Sequence, residues 1–276
     1  MKPLKIFLAD LTYDTITLST DVFPLNIGYI ASYAKAQFGS DVEIKLFKYI
    51  EKLEDELERS PPDIIGFSNY AWCNRISREM SRIFLKLNPN GIVVWGGPNF
   101  PLDLPSQERF FKENSIIDIY IPVEGEIGFS NIVKKALDVK SNDEFRNKIL
   151  EDTIDGGITR LKNGKLQYSA SPIRIKQLDD IPSPYTTGIL DQFFDGRLSP
   201  MIQTNRGCPF SCTFCVDGSD LVNKVNSFSI ERVSKELHYI AKHVSPNMHS
   251  MHISDLNFGM FPQDLEICDS IKKIQE

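Results

Sequence analysis

The sequence predicts an α/β protein in which a doubly wound parallel sheet is followed by the first units of a second βα repeat. Short apolar runs alternate with segments of helical spacing up to residue 138, and a βα pattern resumes at Ser199. Strands separated by helices pair in parallel, and such sheets bind ligands at the carboxyl ends of their strands. The predicted domains are residues 1–139, a hairpin and linker over 140–198, and a second domain over 199–276.

The first domain is predicted to contain five strands. Each is an apolar or alternating run, and the strands cover residues 5–11, 42–49, 63–70, 91–95 and 118–123. Helical spacing follows four of them, over residues 26–38, 51–59, 74–87 and 124–138. Gly39 and Pro61-Pro62 end the first two helices, because neither residue type continues a helix well. No helix is predicted between the fourth and fifth strands.

Local turn signals dominate the segment between the two domains. Asn163-Gly164 predicts a β-hairpin over residues 155–166. Residues 178–185 contain two prolines and predict an extended linker.

The second domain begins as a βα repeat. Strands are predicted at residues 201–204 and 251–254, and helices at 230–243, with Ser229 as its cap, and at 264–274. Two such units cannot close a barrel and would leave a sheet edge exposed. We therefore expect the chain to be a shortened form whose turnover is at most slow.

Three of the chain's five cysteines lie close together as Cys208-x3-Cys212-x2-Cys215. Three thiolates on one loop can hold a metal or cluster and leave one tetrahedral corner empty. The clustering and the odd number argue against a disulfide framework and indicate a reducing compartment. Zinc is the alternative, but it normally takes a fourth ligand, and His238 and His243 lie downstream at a spacing that does not share a helix face cleanly.

The remaining two cysteines, Cys73 and Cys268, have no ligand spacing to any other residue. Cys73 is expected at a helix start, and Cys268 on the apolar side of the last helix.

An aromatic residue, Phe214, directly precedes the last cysteine of the cluster. The motif resembles the signature of the radical S-adenosylmethionine (SAM) superfamily. The resemblance implies a [4Fe–4S] cluster on Cys208, Cys212 and Cys215, with SAM chelated to the open iron and cleaved to methionine and a 5'-deoxyadenosyl radical. It also implies a partial TIM barrel, with Phe214 beside the adenine.

The segment 252–259, HISDLNFG, resembles the second-strand segment of this group, where an acidic residue approaches SAM. Asp255 is then a candidate SAM-binding residue. The alternative is that Asp255 and Asn257 only cap the turn into the next helix.

The first domain carries a second resemblance. Gly28, Ser68 and Gly96-Gly97 follow the order of the glycine, serine and paired glycines that cobalamin-binding domains carry at their strand ends. Where that motif has Asp and His, this chain has Phe23 and Leu25.

With the cysteine motif, this pattern is similar to the family of cobalamin-binding radical SAM proteins. It implies a Rossmann-like cobalamin domain, with Gly28, Ser68, Gly96, Gly97 and Gly125 near the cofactor and no histidine beneath cobalt. The alternative is a domain of the same architecture without cobalamin.

We therefore expect an enzyme that cleaves SAM and uses cobalamin for methyl transfer or carbon-skeleton chemistry. Two alternatives stay open, which are a radical SAM cyclase or oxidoreductase without cobalamin and a non-enzymatic iron–sulfur or zinc protein. The expected partners are a small-molecule or carrier-bound substrate and a reductant such as flavodoxin or ferredoxin.

Charge and the N-terminal sequence restrict the partners further. A net charge of −6 with a pI near 5.4 and no basic block argues against nucleic acid. The N-terminal apolar run is too short for a signal peptide or membrane span, so the expected compartment is the cytoplasm.

Overall fold

The computed structural model describes residues 2–14, 17–140, 142, 144–169 and 174–276. Contacts divide the chain into a first unit, Met1–Thr20 with Tyr33–Arg174, and a second unit, Asp21–Ser32 with Ile175–Glu276. The predicted domain boundaries at residues 139 and 198 stay predictions. Part of the predicted hairpin and linker, at residues 141, 143 and 170–173, lies outside the described residues.

Strands and helices alternate through the first unit, as the sequence predicts. In chain order they are β1 (Leu4–Thr12), α1 (Leu25–Phe38, which crosses the division between the units), β2 (Val42–Tyr49), α2 (Ile50–Arg59), β3 (Ile64–Ser68), α3 (Asn74–Leu87), β4 (Ile92–Gly96), α4 (Leu104–Glu113), β5 (Ile119–Ile121), α5 (Glu126–Val139), α6 (Phe145–Ile149), β6 (Ile158–Arg160) and β7 (Leu166–Tyr168).

The strands of the first unit form one sheet in the order β2-β1-β3-β4-β5-β6-β7. Strands β1 to β5 pair in parallel, whereas β6 and β7 extend the sheet in antiparallel pairing. Every residue of β3 is buried, because both faces of a doubly wound sheet are covered. The apolar core includes Phe7, Trp95 and Tyr120. The strand order reverses at β1, which places a ligand crevice at the carboxyl ends of β1 and β3.

Helix α4 was not predicted from the sequence. Its start carries two local signals, an Asp103 side chain that accepts a hydrogen bond from the Ser106 amide (2.9 Å) and a proline in the first turn. Aspartate satisfies an otherwise unpaired helix N–H, and proline has no N–H to lose there. Residues 103–106 thus carry the local signals of a helix start.

The predicted hairpin is confirmed as β6 and β7. Arg160 pairs with Leu166, and Gly164 adopts a φ of 80° in the turn. A positive φ is accessible to glycine without a steric penalty, which is why Asn-Gly is so strong a turn signal.

The second unit contains shorter strands than predicted. Its elements are β8 (Met201–Ile202), β9 (Asn205–Arg206), β10 (Asn226–Ser227), α7 (Ile230–His243), β11 (His252–Ile253) and α8 (Pro262–Gln275). Strand β8 pairs in parallel with β11, so that β8, α7 and β11 form a βα unit. Ser229 caps α7 as predicted, accepting a hydrogen bond from the Arg232 amide (3.1 Å).

An aromatic cluster fills part of the second unit's core. The Phe23 ring contacts Tyr185, Phe193 and Phe194 at centroid distances of 6.0, 6.2 and 4.9 Å. Phe23 and Leu25 are both buried. The two positions at which the cobalamin motif carries Asp and His are therefore apolar core positions here.

The two isolated cysteines differ in exposure. Cys73 is buried directly before α3, as expected. Cys268 is exposed, so its predicted place on the apolar side of α8 was wrong. Its neighbour Ile267 occupies the buried face, and one residue turns a helix by about 100°.

None of the described helices is both long and apolar enough to span a membrane.

Two glycines of the first unit allow a matched stability test. Gly156 and Gly164 both have positive φ, at 87° and 80°. A Cβ at Gly156 would lie 2.9 Å from the Gly128 Cα, whereas a Cβ at Gly164 would meet nothing within 4 Å. We expect Gly164→Ala to lower the free energy of unfolding by about 1–2 kcal/mol through backbone strain alone. Gly156→Ala should cost about 1–3 kcal/mol more through overpacking.

Urea unfolding followed by tryptophan fluorescence measures this difference in the first unit, because Trp72 and Trp95 are the chain's two tryptophans. Equal losses in the two variants would contradict the close approach of Gly156 to Gly128.

Candidate functional site

The cysteine motif lies in a loop closed by a short antiparallel pair. Strands β9 and β10 bracket the loop, with Arg206 opposite Asn226. The Cys208 amide donates a hydrogen bond to the Val222 carbonyl (3.0 Å), which joins the two arms of the loop just inside the strands. The loop that carries the three cysteines is therefore tied at its base. We call residues 207–225 the cysteine loop.

Two glycines let the cysteine loop fold onto itself. Gly207 has a φ of 107°, and a Cβ there would lie 2.3 Å from the Lys224 carbonyl oxygen. A Cβ at Gly218 would lie 2.4 Å from the Cys212 carbonyl oxygen. No other residue type fits either position without a shift of the backbone. The sequence Gly207-Cys208-Pro209 is typical of a sharp backbone bend, whereas no local pattern indicates the role of Gly218.

The three thiols of the loop are free and differ in exposure. Cys208 is half-buried, while Cys212 and Cys215 are exposed. The Cys215 amide donates to the Cys212 carbonyl (3.1 Å), so these two cysteines share one turn. Within the described residues, no three His, Cys, Asp or Glu side chains are arranged as metal ligands. The structure thus brings the three thiols to one loop without setting them at ligating distances.

Phe214 projects from this loop into solvent and is 91% exposed. The ring is therefore accessible to a ligand, although single exposed apolar residues are common on protein surfaces.

Asp255, predicted to approach SAM or to cap a turn, holds the start of β9. Its carboxylate accepts hydrogen bonds from the backbone amides of Thr204 (2.7 Å) and Asn205 (3.3 Å). It also accepts from the Thr204 hydroxyl and from the Asn205 side-chain amide (2.9 Å). Burial raises the pKa of this carboxyl, and the donors of Thr204 and Asn205 oppose that shift. Asp255 therefore fixes the segment that leads into Cys208, and its contact with SAM stays a prediction.

Asn257 contacts the cysteine loop directly. Its Nδ2 atom lies 3.1 Å from the Cys208 Sγ atom and donates a hydrogen bond to it. The sequence had suggested only that Asn257 caps a turn. Asn257 and Cys208 are 49 residues apart, so no local sequence pattern predicts their contact.

In the first unit, the predicted residues lie at the carboxyl ends of neighbouring strands. Ser68 ends β3 and pairs in register with Gly96 at the end of β4, and Gly125 precedes α5 after β5. A Cβ at Gly97 would lie 2.9 Å from the Asn69 carbonyl oxygen, and one at Gly96 would lie 3.2 Å from the Ile121 oxygen. The close approach of the chain to itself thus requires a small residue at Gly97.

Sequence reasoning missed a polar network at this edge. Asn69 is fully buried and donates to the Asn99 carbonyl (2.6 Å) and the Tyr120 hydroxyl (3.1 Å). The Tyr120 hydroxyl in turn donates to the Gly97 carbonyl (2.7 Å), and burial raises its pKa. The network fixes the loops that follow β3 and β4, because buried polar groups are costly unless paired.

Beside this network, Tyr70 and Trp72 stack with ring centroids 4.7 Å apart and an interplanar angle of 8°. The Trp72 side chain is half-exposed.

Gly28 belongs to the second unit. A Cβ there would lie 3.0 Å from Leu190 and 3.1 Å from Pro184, so packing within that unit explains the glycine.

The two histidines weighed as zinc ligands lie on α7. The Nδ1 atoms of His238 and His243 lie 2.7 Å and 2.8 Å from the carbonyl oxygens of Ser234 and Tyr239. Both side chains are exposed, and in the part of the chain that the structure describes they form no ligand group with the cysteines.

Comparison with known proteins identifies relatives of this chain. No protein-family model matches it. It is 28% identical over 260 residues to the cobalamin-dependent radical SAM methyltransferase TokK of Streptomyces tokunonensis, over 90% of this chain and 36% of TokK. The chain thus spans about a third of the length of this curated relative. This similarity confirms the family resemblance predicted from the motifs.

Solved structures confirm the predicted fold class. The cobalamin-dependent SAM radical enzyme OxsB, with aqua-cobalamin and SAM bound, superposes with a TM-score of 0.70 at 18% identity, over 99% of this chain and 37% of OxsB. The radical SAM methyltransferase TsrM of Kitasatospora setae, with cobalamin and a [4Fe-4S] cluster bound, gives a TM-score of 0.63 at 15% identity, over 98% of this chain and 50% of TsrM.

The contacts of Asp255 yield a prediction for the cysteine loop. Asp255→Asn replaces one carboxylate oxygen by an NH₂ group that faces donors. Hydrogen bonds to charged groups contribute about 1.5–3 kcal/mol, so local opening at residues 204–208 should become at least about tenfold more frequent. Hydrogen exchange of the peptides that contain the Thr204 and Asn205 amides measures this.

Asp220→Asn is the matched control, because Asp220 is exposed on the cysteine loop and its carboxylate accepts from the Asn223 side chain (3.3 Å). Unchanged exchange at residues 204–208 in Asp255→Asn would show that the carboxylate does not hold this segment.

Proposed function

We propose that this chain binds a [4Fe–4S] cluster through Cys208, Cys212 and Cys215 and acts in cobalamin-dependent radical SAM methyl transfer. The observation that carries the proposal is the cysteine loop itself. It holds three free thiols, contains no fourth cysteine and no histidine, and is tied at its base by β9 and β10. The similarity to TokK over nine-tenths of the chain supports the same reaction class.

The donor set of the loop fits an iron–sulfur cluster. Cys212 and Cys215 are exposed and share a turn, and Cys208 is half-buried at the base of the loop. Iron–sulfur clusters are held by cysteine thiolates, and a three-thiolate set leaves one iron open. When bound and reduced, such a cluster supplies the electron that cleaves SAM.

The chain's own residues then have separate tasks around that centre. Gly207 and Gly218 allow the loop to close, Asp255 holds its leading segment, and Phe214 offers an exposed ring that can stack on the adenine of SAM. All these contributions are to binding and orientation.

The carboxyl edge of the first unit's sheet fits cobalamin in part. Ser68 supplies a hydroxyl and Gly96 leaves out side-chain bulk at adjacent strand ends beside the crevice of a doubly wound sheet. Gly125 lies in the loop that follows the next strand, directly before α5. Gly97 and Gly28 are explained by contacts within the protein, so these two glycines carry less weight for cobalamin than the sequence suggested.

These contacts favour a second candidate, a radical SAM cyclase or oxidoreductase whose first unit holds no cobalamin. Retention of cobalamin by the purified chain separates the two.

The substrate of the proposed reaction is a small molecule or a carrier-bound group, and the expected electron donor is a flavodoxin or ferredoxin. The net charge of −6 supports a partner other than nucleic acid. The cytoplasm is the compartment in which such an oxygen-sensitive cluster and its reductant would meet.

The cluster ligands can be tested one cysteine at a time. After anaerobic reconstitution, we expect the wild-type chain to hold about four irons and four sulfides, the composition of one [4Fe–4S] cluster. Each of Cys208→Ala, Cys212→Ala and Cys215→Ala should lose most of this content, and the triple variant all of it. Cys268→Ala is the matched control, because Cys268 is exposed outside the loop. Stoichiometric zinc without sulfide in the wild type would overturn the proposal.

Cobalamin binding gives a second prediction. All four histidines lie from residue 238 onward, and Leu25 is a buried core residue at the motif's histidine position. We expect bound cobalamin to have its own base displaced from cobalt and no imidazole from this chain in its place. The spectrum of cob(II)alamin on the protein should then lack the strong axial nitrogen splitting that free cob(II)alamin shows at the same pH. Strong splitting would contradict this prediction, and absence of binding would favour the second candidate.

A further inference from the structure

The turn that follows β11 contacts both the cysteine loop and the segment just before it. Asp255 binds Thr204 and Asn205 ahead of the loop, and Asn257 donates to the Cys208 sulfur (3.1 Å). The sequence pattern of this turn predicts only a SAM contact or a helix cap. We call residues 254–261 the β11 turn.

The β11 turn is held at both ends, which fixes the position of Asn257. At its start, the Ser254 amide donates to the Ile202 carbonyl (2.9 Å). At its end, the Asp264 carboxylate accepts from the amides of Gly259 (2.8 Å) and Phe261 (2.9 Å). A donor held in place by its surroundings loses little side-chain entropy when its hydrogen bond forms.

The direction of the Asn257 hydrogen bond matches a metal-bound sulfur. An iron-bound thiolate can only accept hydrogen bonds, so the amide must present its NH₂ group and not its oxygen. Cys212 and Cys215 are exposed and can be solvated by water, whereas Cys208 is half-buried. Of the three thiols, Cys208 is thus the one for which a protein donor best replaces lost water.

A hydrogen bond to a cluster sulfur changes the cluster's reduction potential. The donor withdraws electron density from the sulfur and stabilises the more negative, reduced cluster more than the oxidised one. The neutral amide of Asn257 would do this without adding a charge.

We propose that Asn257 is a positioning residue that raises the reduction potential of the cluster by donating a hydrogen bond to Cys208. This inference rests on the proposed function, because it requires a cluster on the cysteine loop. It assigns to the β11 turn a task in electron transfer to the cluster that is separate from any contact with SAM.

Redox titration of the reconstituted chain, followed by electron paramagnetic resonance, tests the inference. Asn257→Leu removes the donor at similar size, and Asn257→Asp replaces the amide by a carboxylate of nearly the same shape. We expect iron and sulfide content to stay at the wild-type level. At a fixed potential, the ratio of reduced to oxidised cluster should fall about tenfold in Asn257→Leu, which is ~59 mV for one electron. It should fall further in Asn257→Asp because of the added negative charge.

Asn223→Leu is the matched control, because Asn223 is exposed on the same loop and its amide donates to Asp220. Its potential should equal that of the wild type. Pulsed resonance in deuterated buffer supplies a second readout, since the exchangeable amide protons near Cys208 should couple to the reduced cluster in the wild type and not in Asn257→Leu. A merely structural role for Asn257 would alter cluster content without shifting the potential.

The outcomes separate the two proposals. A wild-type chain without a cluster overturns the proposed function. A wild-type cluster whose potential and exchangeable coupling are unchanged in Asn257→Leu overturns the role of Asn257. If Asn257→Leu does not assemble a cluster, the reduction potentials of Asn257→Asp and of Asn257→Gln, which keeps the donor, test the inference. A lower potential in Asn257→Asp together with a near-wild-type potential in Asn257→Gln supports it. Equal potentials in these two variants overturn it.

Discussion

The second unit depends on the carboxylate of Asp255, which joins the end of β11 to the junction between β8 and β9. Strands β8 and β11 are two residues long and cannot fix a loop by their own pairing. Removing a carboxylate from water is costly unless donors surround it, and the amides and side chains of Thr204 and Asn205 donate to the half-buried Asp255 carboxylate. The hydrogen bonds to the Asp255 carboxylate thus set the direction in which the chain enters the cysteine loop.

Close backbone contacts at three glycines also fix the local path of the chain. Gly207 and Gly218 lie where a Cβ would meet a carbonyl oxygen at 2.3 and 2.4 Å, and Gly97 lies against Asn69 at 2.9 Å. In each case the glycine is required by the protein's own chain. A glycine at a ligand edge therefore has two possible physical causes, and only the structure distinguishes them. Gly96, whose nearest contact is 3.2 Å, retains more freedom and stays the better candidate for a position kept small for a cofactor.

Local signals explain what the sequence could predict. Asn163-Gly164 placed the hairpin, Ser229 placed the start of α7, and the apolar spacing of residues 74–87 matched α3 at both ends. The spacing of the three cysteines placed them on one loop. Helix α4 carried similar local signals and should have been found.

The remaining features depend on residues far apart in the chain, and no local pattern could predict them. The Asn257 contact with Cys208 joins two loops, and the grouping of Phe23 with Tyr185 joins α1's leading segment to residues beyond 175. Spacing can therefore identify the residue types that a cofactor needs, but it leaves out the groups that tune them. The three thiols of the cysteine loop can be recognised from their spacing in the sequence. The Asp255 carboxylate, which fixes the segment before the loop, and the Asn257 amide, which contacts the Cys208 sulfur, reach these positions only through the fold.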